Sequence, residues 1–78
     1  MKTKKTVAKV AYVNRLNNSY YGNPRYAFTL ITPNGFMYAR TASNAACGYL
    51  VSYSMVNTEC EFTYHFTNSG NCIIDYIN

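Results

Sequence analysis

The stretch YAFTLITPNGFMYART, residues 26–41, predicts a β-hairpin around which the rest of the fold is built. Side chains alternate on both sides of Pro33-Asn34-Gly35, as expected for two strands that each bury one face. Proline fixes φ at the start of a turn and glycine supplies the positive φ at its end. The sequence therefore predicts two antiparallel strands joined by a three-residue loop.

That loop length sets the register of the hairpin. It places Leu30 opposite Tyr38 and Phe28 opposite Arg40, so that the large side chains share one face. The face carries Tyr26, Phe28, Leu30, Phe36, Tyr38 and Arg40. We expect it to be the core, because the small side chains of the other face cannot fill an interior. If it were outside, its rings would form a platform for stacking single-stranded bases.

Strand-like patterns continue before and after the hairpin. Residues 7–13 predict a first strand with Ala8, Val10 and Tyr12 on one face. Residues 59–67 and 71–77 predict a closing hairpin with Gly70 at a positive φ. Its apolar pairs would be Phe66 with Cys72, Tyr64 with Ile74, and Phe62 with Tyr76.

Between the two hairpins, the stretch TASNAACGYLV predicts a short helix that contains Ala45 and Ala46 and is capped by Thr41 or Ser43. Gly48 lowers the intrinsic stability of this helix, so packing must hold it. The element order is then β-β-β-α-β-β in one small domain, residues 1–78, with residues 1–6 as a mobile basic arm. We predict an α+β, mainly β fold. It is either an open sheet of five antiparallel strands with one helix, or an OB-like, partly open barrel.

Charge is distributed unevenly along the chain. All seven basic residues fall within the first 40 positions and all three acidic residues follow them. Such polarity suggests an anionic partner for the first half, either nucleic acid or an acidic protein surface. A small protein also needs net charge for solubility, which is an alternative explanation.

The sequence offers little chemistry for catalysis or metal binding. His65 is the only histidine, and alternation places it on the solvent face, away from Cys60 and Cys72. The three cysteines, Cys47, Cys60 and Cys72, are far apart in sequence and form no C-x-x-C pair, which disfavours both a zinc site and a disulfide framework. We expect reduced thiols, no cofactor, no metal and no enzymatic activity. The basic start leads into alternating residues rather than an apolar segment, so we expect a cytoplasmic protein without a membrane partner.

The first long loop contains the best candidate binding residues. In NNSYYGNPRY, residues 17–26, turn formation explains Gly22, Asn23 and Pro24, but not the two adjacent tyrosines or the arginine. Basic side chains nearby could bind phosphates without reading sequence. The predicted binding residues are Lys4, Lys5, Lys9, Arg15, Tyr20, Tyr21, Arg25 and Arg40.

The run from Arg15 to Tyr26, followed by Arg40-Thr41-Ala42-Ser43-Asn44 and Tyr49, resembles small phage-encoded β-rich proteins. These share an R-L-x-N-S-x-x-G-N-P-R-Y segment and a later T-x-x-D-A helix start, and most have no assigned function. Asn44 replaces the aspartate of that pattern. The resemblance implies a phage or mobile-element origin, in an infected or carrier bacterial cell. Small proteins of that origin often block host machinery, including CRISPR complexes.

Three functions therefore remain open. The first is a non-catalytic phage-type protein that inhibits a host defence complex, in the manner of anti-CRISPR proteins, by engaging a host protein, a nucleoprotein or a nucleic-acid-binding surface. The second is an OB-like binder of single-stranded nucleic acid. The third is a structural phage module that associates with itself through a sheet edge.

Overall fold

A computed structural model describes residues 2–43 and 46–78. It contains five strands, which are β1 (Lys4–Leu16), β2 (Arg25–Thr32), β3 (Gly35–Thr41), β4 (Glu59–Phe66) and β5 (Cys72–Ile77). They close into a barrel in the order β1-β2-β3-β5-β4. A closed five-stranded barrel is consistent with the OB-like prediction, and the predicted open sheet is wrong.

Closure depends on β1 and on one parallel contact. The 13 residues of β1 pair with β4 over the first half of the strand and with β2 over the second. On the opposite side, β3 pairs in parallel with β5 at Arg40 with Ile73 and Thr41 with Ile74. The expectation that all five strands are antiparallel therefore fails at this seam.

Two 3-10 helices replace the predicted α-helix between β3 and β4. They span Ala46–Leu50 and Tyr53–Met55. Thr41 does not cap them, because it ends β3, where its Oγ1 accepts a hydrogen bond from the Tyr26 backbone N–H. Asn44 and Ala45, at the predicted helix start, lie outside the described residues.

The amino-terminal arm is also shorter than predicted. Residues 4–6 belong to β1, where Lys4 lies opposite Tyr64 and Lys5 opposite Thr63. The reason is that β4 offers its free side to β1, so backbone hydrogen bonds extend the strand beyond the apolar residues that the sequence pattern detects.

The barrel interior is filled by apolar side chains from every strand. The rings of Phe28 and Phe62 meet edge to face, with their centroids 5.8 Å apart. Small residues such as Ala8 and Ala39 complement them, as a narrow barrel requires. The buried core comprises Ala8, Val10, Val13, Phe28, Leu30, Ala39, Cys47, Val51, Phe62, Cys72, Ile74 and Ile77.

A bulge in β1 changes which residues face the core. The register shifts between Val10 and Tyr12, so Ala11 is an extra residue with no partner on β2. Val13 is consequently buried, at 3 % exposure, whereas Tyr12 is 60 % exposed. The predicted face of Ala8, Val10 and Tyr12 is therefore wrong beyond Val10. A bulge is a local feature that alternation alone does not reveal.

The first hairpin differs from its prediction by one residue. Thr32 pairs with Gly35, which leaves a two-residue turn of Pro33 and Asn34. Leu30 therefore lies opposite Met37, and Phe28 lies opposite Ala39. A one-residue slip moves every side chain of the shifted strand to the other face. Phe36, Tyr38 and Arg40 thus point outward, and the predicted single face of large side chains is wrong.

The second hairpin matches its prediction near the loop. Phe66 pairs with Cys72 and Tyr64 with Ile74, and Gly70 has a φ of 88°. The register then shifts between Thr63 and Tyr64, which leaves Asp75 as the extra residue of β5. Phe62 consequently lies opposite Ile77 instead of the predicted Tyr76.

All three cysteines are free thiols. Burial raises the pKa of the Cys47 and Cys72 thiols above their ordinary value of 9.0, and the charge of Asp75 adds to the effect. Cys60 is only partly buried. Thiolates are the reactive species, so the two buried cysteines are protected by both access and protonation.

We therefore expect a thiol reagent at about pH 8 to modify Cys60 first, and Cys47 and Cys72 only after unfolding. Mass spectrometry of partly labelled protein checks the order of modification. Equal labelling rates at the three positions in the folded protein would contradict the assignment.

The free energy of unfolding should also fall as the pH rises above 9.0, because the unfolded state then releases thiol protons that the folded state retains.

Candidate nucleic-acid interface

The outer face of β1, β2 and β3 presents three rows of side chains, which we call the platform. Each row has one residue from each strand, set by the observed registers. The rows are Lys9-Ile31-Phe36, Tyr12-Thr29-Tyr38 and Asn14-Ala27-Arg40. The bulge in β1 and the short turn between β2 and β3 together produce this alignment.

Aromatic rings stand at both edges of the platform. Phe36 is 68 % exposed and Tyr38 is 72 % exposed on β3, and Tyr12 faces them across β2. The strand between them carries the smaller side chains of Ala27 and Thr29. Exposed rings around a low centre form a concave aromatic surface, which is a typical feature of a binding site.

A cleft of about 730 Å³ lies over this face. Its remaining wall consists of Phe66, the last residue of β4, and of Gly70 and Asn71 in the loop that follows. Beside this wall, β5 pairs with β3 only at the Arg40 and Thr41 positions. The rest of the β3 edge therefore opens into the cleft.

The cleft is basic and its described lining contains no carboxylate. Arg40 lines it directly, and Lys9 stands at the far corner of the platform. The Lys4 ammonium lies 5.6 Å from the centroid of the Phe66 ring, which is a cation–π contact at the cleft wall. Three positive charges thus lie near the exposed rings, and Glu59 on β4 lies directly opposite one of them, Lys9.

The loop between β1 and β2 is folded around Ser19. The Ser19 hydroxyl accepts hydrogen bonds from the backbone N–H groups of Tyr21 and Asn23, and its carbonyl accepts one from Gly22. Gly22 has a φ of 81°, which a side chain would disfavour. This network holds Tyr20 and Tyr21 at the tip of the loop, where Tyr20 is 97 % exposed.

Two contacts fasten this loop to the rest of the barrel. The Asn23 side-chain amide donates a hydrogen bond to the Ser43 carbonyl. Gly48, in the first 3-10 helix, packs so closely on Pro24 that a Cβ at this position would lie 2.0 Å from the Pro24 carbonyl oxygen. The glycine that weakens the predicted helix is therefore required for the approach of this loop.

Arg15 supports the same loop instead of pointing into the cleft. Its guanidinium donates to the backbone carbonyls of Leu16 and Arg25 and to the Asn18 side chain, and it lies 5.2 Å from the centroid of the Tyr26 ring. With its donors used in this way, Arg15 is a structural residue of the loop.

A second pocket, of about 490 Å³, lies between this loop and the outer face of β4 and β5. Tyr21 and Arg25 line one side of it. On the other side, His65 Nδ1 is 2.6 Å from Asp75 Oδ2. The sequence analysis missed this pair, because the bulge at Asp75 places the carboxylate beside a histidine that alternation predicted to be solvated.

The structure thus divides the predicted binding residues into groups. Lys4, Lys9 and Arg40 surround the cleft, and Tyr21 and Arg25 line the second pocket. Tyr20 is at the loop tip, Arg15 is structural, and Lys5 pairs with Thr63 away from both cavities. The residues that sequence reasoning did not select are Tyr12, Asn14, Phe66 and Asn71, together with Phe36 and Tyr38, which it assigned to the core.

Within residues 2–43 and 46–78, no group of three or more His, Cys, Asp or Glu side chains is arranged to hold a metal ion. No helix in the same ranges has the length and apolar character to cross a membrane. The chain matches no protein-family model, and no curated protein or solved structure gives a significant match.

The contact between Gly48 and Pro24 can be tested by Gly48→Ala. The added methyl group must displace backbone, so we expect a loss of about 1 to 3 kcal/mol of unfolding free energy, as for other overpacked sites. Tyr49→Ala, at an exposed position of the same helix, is the matched control and should change stability by less than about 0.5 kcal/mol. Equal effects of the two substitutions in chemical denaturation would refute the close packing.

Proposed function

We propose that this protein is a non-catalytic binder of single-stranded nucleic acid, with its binding site on the platform and in the cleft above it. The observation that carries the proposal is the set of three exposed rings, Tyr12, Phe36 and Tyr38, around a low centre on one face of the barrel. Every nucleobase has a flat face that stacks on such rings, so binding would tolerate different sequences.

The spacing of the rings suits successive bases. Neighbouring strands lie about 4.8 Å apart, so the backbones of Tyr12 and Tyr38 are separated by about 10 Å. Phe36 and Tyr38 are two residues apart on β3, or about 7 Å along the strand. Bases can stack on neighbouring rings at these distances, while Asn14 and Asn71 offer amide groups to base edges.

The charges complete the proposed site. Arg40 lines the cleft and Lys4 lies over Phe66 at its wall, without a carboxylate in the described lining, whereas Lys9 lies opposite Glu59. Phosphates of a strand crossing the platform would therefore meet cations on several sides. An OB-like assignment agrees with this location, because OB-folds bind oligonucleotides on the face of their second and third strands and with the loops beside it.

The other two predicted functions stay predictions. Inhibition of a host defence complex is implied only by the resemblance to phage proteins, and none of the contacts described above bears on it. Self-association would require a free sheet edge, and β3 offers one beside the cleft. However, the exposed rings project from the outer face of the sheet and not from that edge, which favours nucleic acid as the ligand.

Removal of one ring should weaken binding of a short single-stranded oligonucleotide. Because a stacked base contributes about 1 to 3 kcal/mol, Tyr38→Ala should raise the Kd about 5-fold to 150-fold. Fluorescence anisotropy with labelled DNA and RNA measures the change. Tyr49→Ala removes an exposed tyrosine outside the platform and should leave the Kd unchanged. If wild-type protein binds neither oligonucleotide at low salt, the proposed function is wrong.

The charge of Arg40 can be tested separately through the salt dependence of binding. Each phosphate contact on a single strand contributes about 0.7 to the slope of log K against log salt concentration. Arg40→Gln should therefore reduce the slope by about 0.7. Lys2→Gln, which removes the same charge from an exposed position outside the barrel strands, serves as the control. An unchanged slope for Arg40→Gln would exclude it from phosphate contact.

A further inference from the structure

The second pocket has no role in the function proposed so far. It lies beyond the Arg40 end of the platform, between the loop of residues 17–24, the end of β3 and the outer face of β4 and β5. The side chains that matter for its chemistry are Tyr21, Arg25, Thr41, Ser43, His65 and Asp75. We propose that this pocket binds a phosphate group of the strand whose bases occupy the platform, an inference that rests on the proposed function.

Arg25 is the strongest reason for a phosphate. Its Nε is buried and has no hydrogen-bond partner among the described residues. A buried donor without an acceptor is costly, and a guanidinium that keeps Nε–H free can bind a phosphate through two parallel hydrogen bonds. Arg15 donates to the Arg25 carbonyl at 3.1 Å, which fixes the backbone of Arg25 at this position.

Hydroxyl groups add neutral donors around the same space. Thr41 is 1 % exposed and lines the pocket, and its Oγ1 accepts a hydrogen bond from the Tyr26 backbone N–H at 3.1 Å. The hydroxyl hydrogen of Thr41 therefore remains available to an acceptor. Ser43 and Tyr21 bring two further hydroxyls to the pocket wall.

One lining group, a carboxylate, opposes an anion, and a neighbouring histidine forms a hydrogen bond with it. Asp75 is the carboxylate of the described pocket lining, and His65 Nδ1 lies 2.6 Å from its Oδ2. When Nδ1 donates its hydrogen to Asp75, one carboxylate oxygen is occupied, and Nε2 of a neutral imidazole is then an acceptor that gives the phosphate no hydrogen bond. Arg25 carries the positive charge among these lining residues and Asp75 carries the negative one, so a phosphate would be held by directed hydrogen bonds from Arg25 and the hydroxyl groups rather than by a net positive charge.

The position of the pocket connects it with the platform. Arg25 is on the same outer face of β2 as Ala27 and lies two residues beyond it, or about 7 Å. Thr41 directly follows Arg40, which ends the last row of the platform. A strand that leaves the rings past Arg40 therefore meets Arg25 next, and its following phosphate can enter the second pocket.

The Arg25 Nε–H group can be observed directly by NMR. In ¹⁵N-labelled wild-type protein, its resonance should shift when a short single-stranded oligonucleotide is added, because the free donor gains an acceptor. The Arg15 guanidinium, whose Nη1 and Nη2 groups already donate to the loop, is an internal control and should shift much less. Inorganic phosphate alone at constant ionic strength tests whether the pocket instead takes a free phosphate ion.

A binding experiment complements the spectra. Arg25→Gln should lower the salt slope of oligonucleotide binding by about 0.7, whereas Lys2→Gln should not. If wild type binds and Tyr38→Ala weakens binding, but Arg25→Gln behaves like Lys2→Gln, the platform is supported and the phosphate pocket is overturned. A shift of Arg25 with inorganic phosphate but not with the oligonucleotide also overturns a strand subsite. An Arg25 shift together with the reduced slope supports it.

Discussion

The barrel depends on keeping the Arg40 guanidinium out of its interior. Arg40 alternates in step with Phe36 and Tyr38, so any register that buries those rings also buries an arginine beside Phe28. An unpaired charge in so small a core would cost more than two rings could contribute. The two-residue turn at Pro33 and Asn34 avoids this cost, because it places Met37 and Ala39 inside and turns the rings outward. The size of the core and the position of the candidate site both follow from that choice of register.

Two bulges also determine which side chains face the core and which face outward. The extra residue Ala11 lets β1 bury Val13 while turning Tyr12 outward, in line with Tyr38 on the other side of β2. The extra residue Asp75 lets β5 bury Ile77 and brings a carboxylate beside His65. A bulge re-aims the side chains that follow it, and both bulges here aim polar or aromatic groups toward a cavity. The outer surface is therefore organised by the same irregularities that complete the core.

The loop NNSYYGNPRY combines internal hydrogen bonds with side chains that line a pocket. Ser19, Gly22 and Asn23 form its internal hydrogen bonds, Pro24 packs against Gly48, and Arg15 donates to its ends. Tyr21 and Arg25 are the members of the loop that line the second pocket. A rigid loop that presents only a few side chains loses little entropy on binding, which suits a small protein with little stability to spare. The turn roles predicted for Gly22 and Asn23 agree with the positive φ and the hydrogen bonds of the loop, whereas no local pattern indicated that Arg15 is a structural residue.

Local sequence determined the number of strands, their positions along the chain, the turns at Pro33 and Gly70, and the concentration of basic residues in the first half, because these depend on alternation, turn chemistry and composition. It also determined that Gly48 needed a packing partner. Tertiary structure decided the register of β2 against β3, the two bulges, the parallel seam at Arg40 and Thr41, and the pairing of His65 with Asp75. Each of these depends on how much volume a closed barrel can hold and on which charge must stay in water. Those quantities belong to the whole barrel, and no segment of the chain specifies them alone.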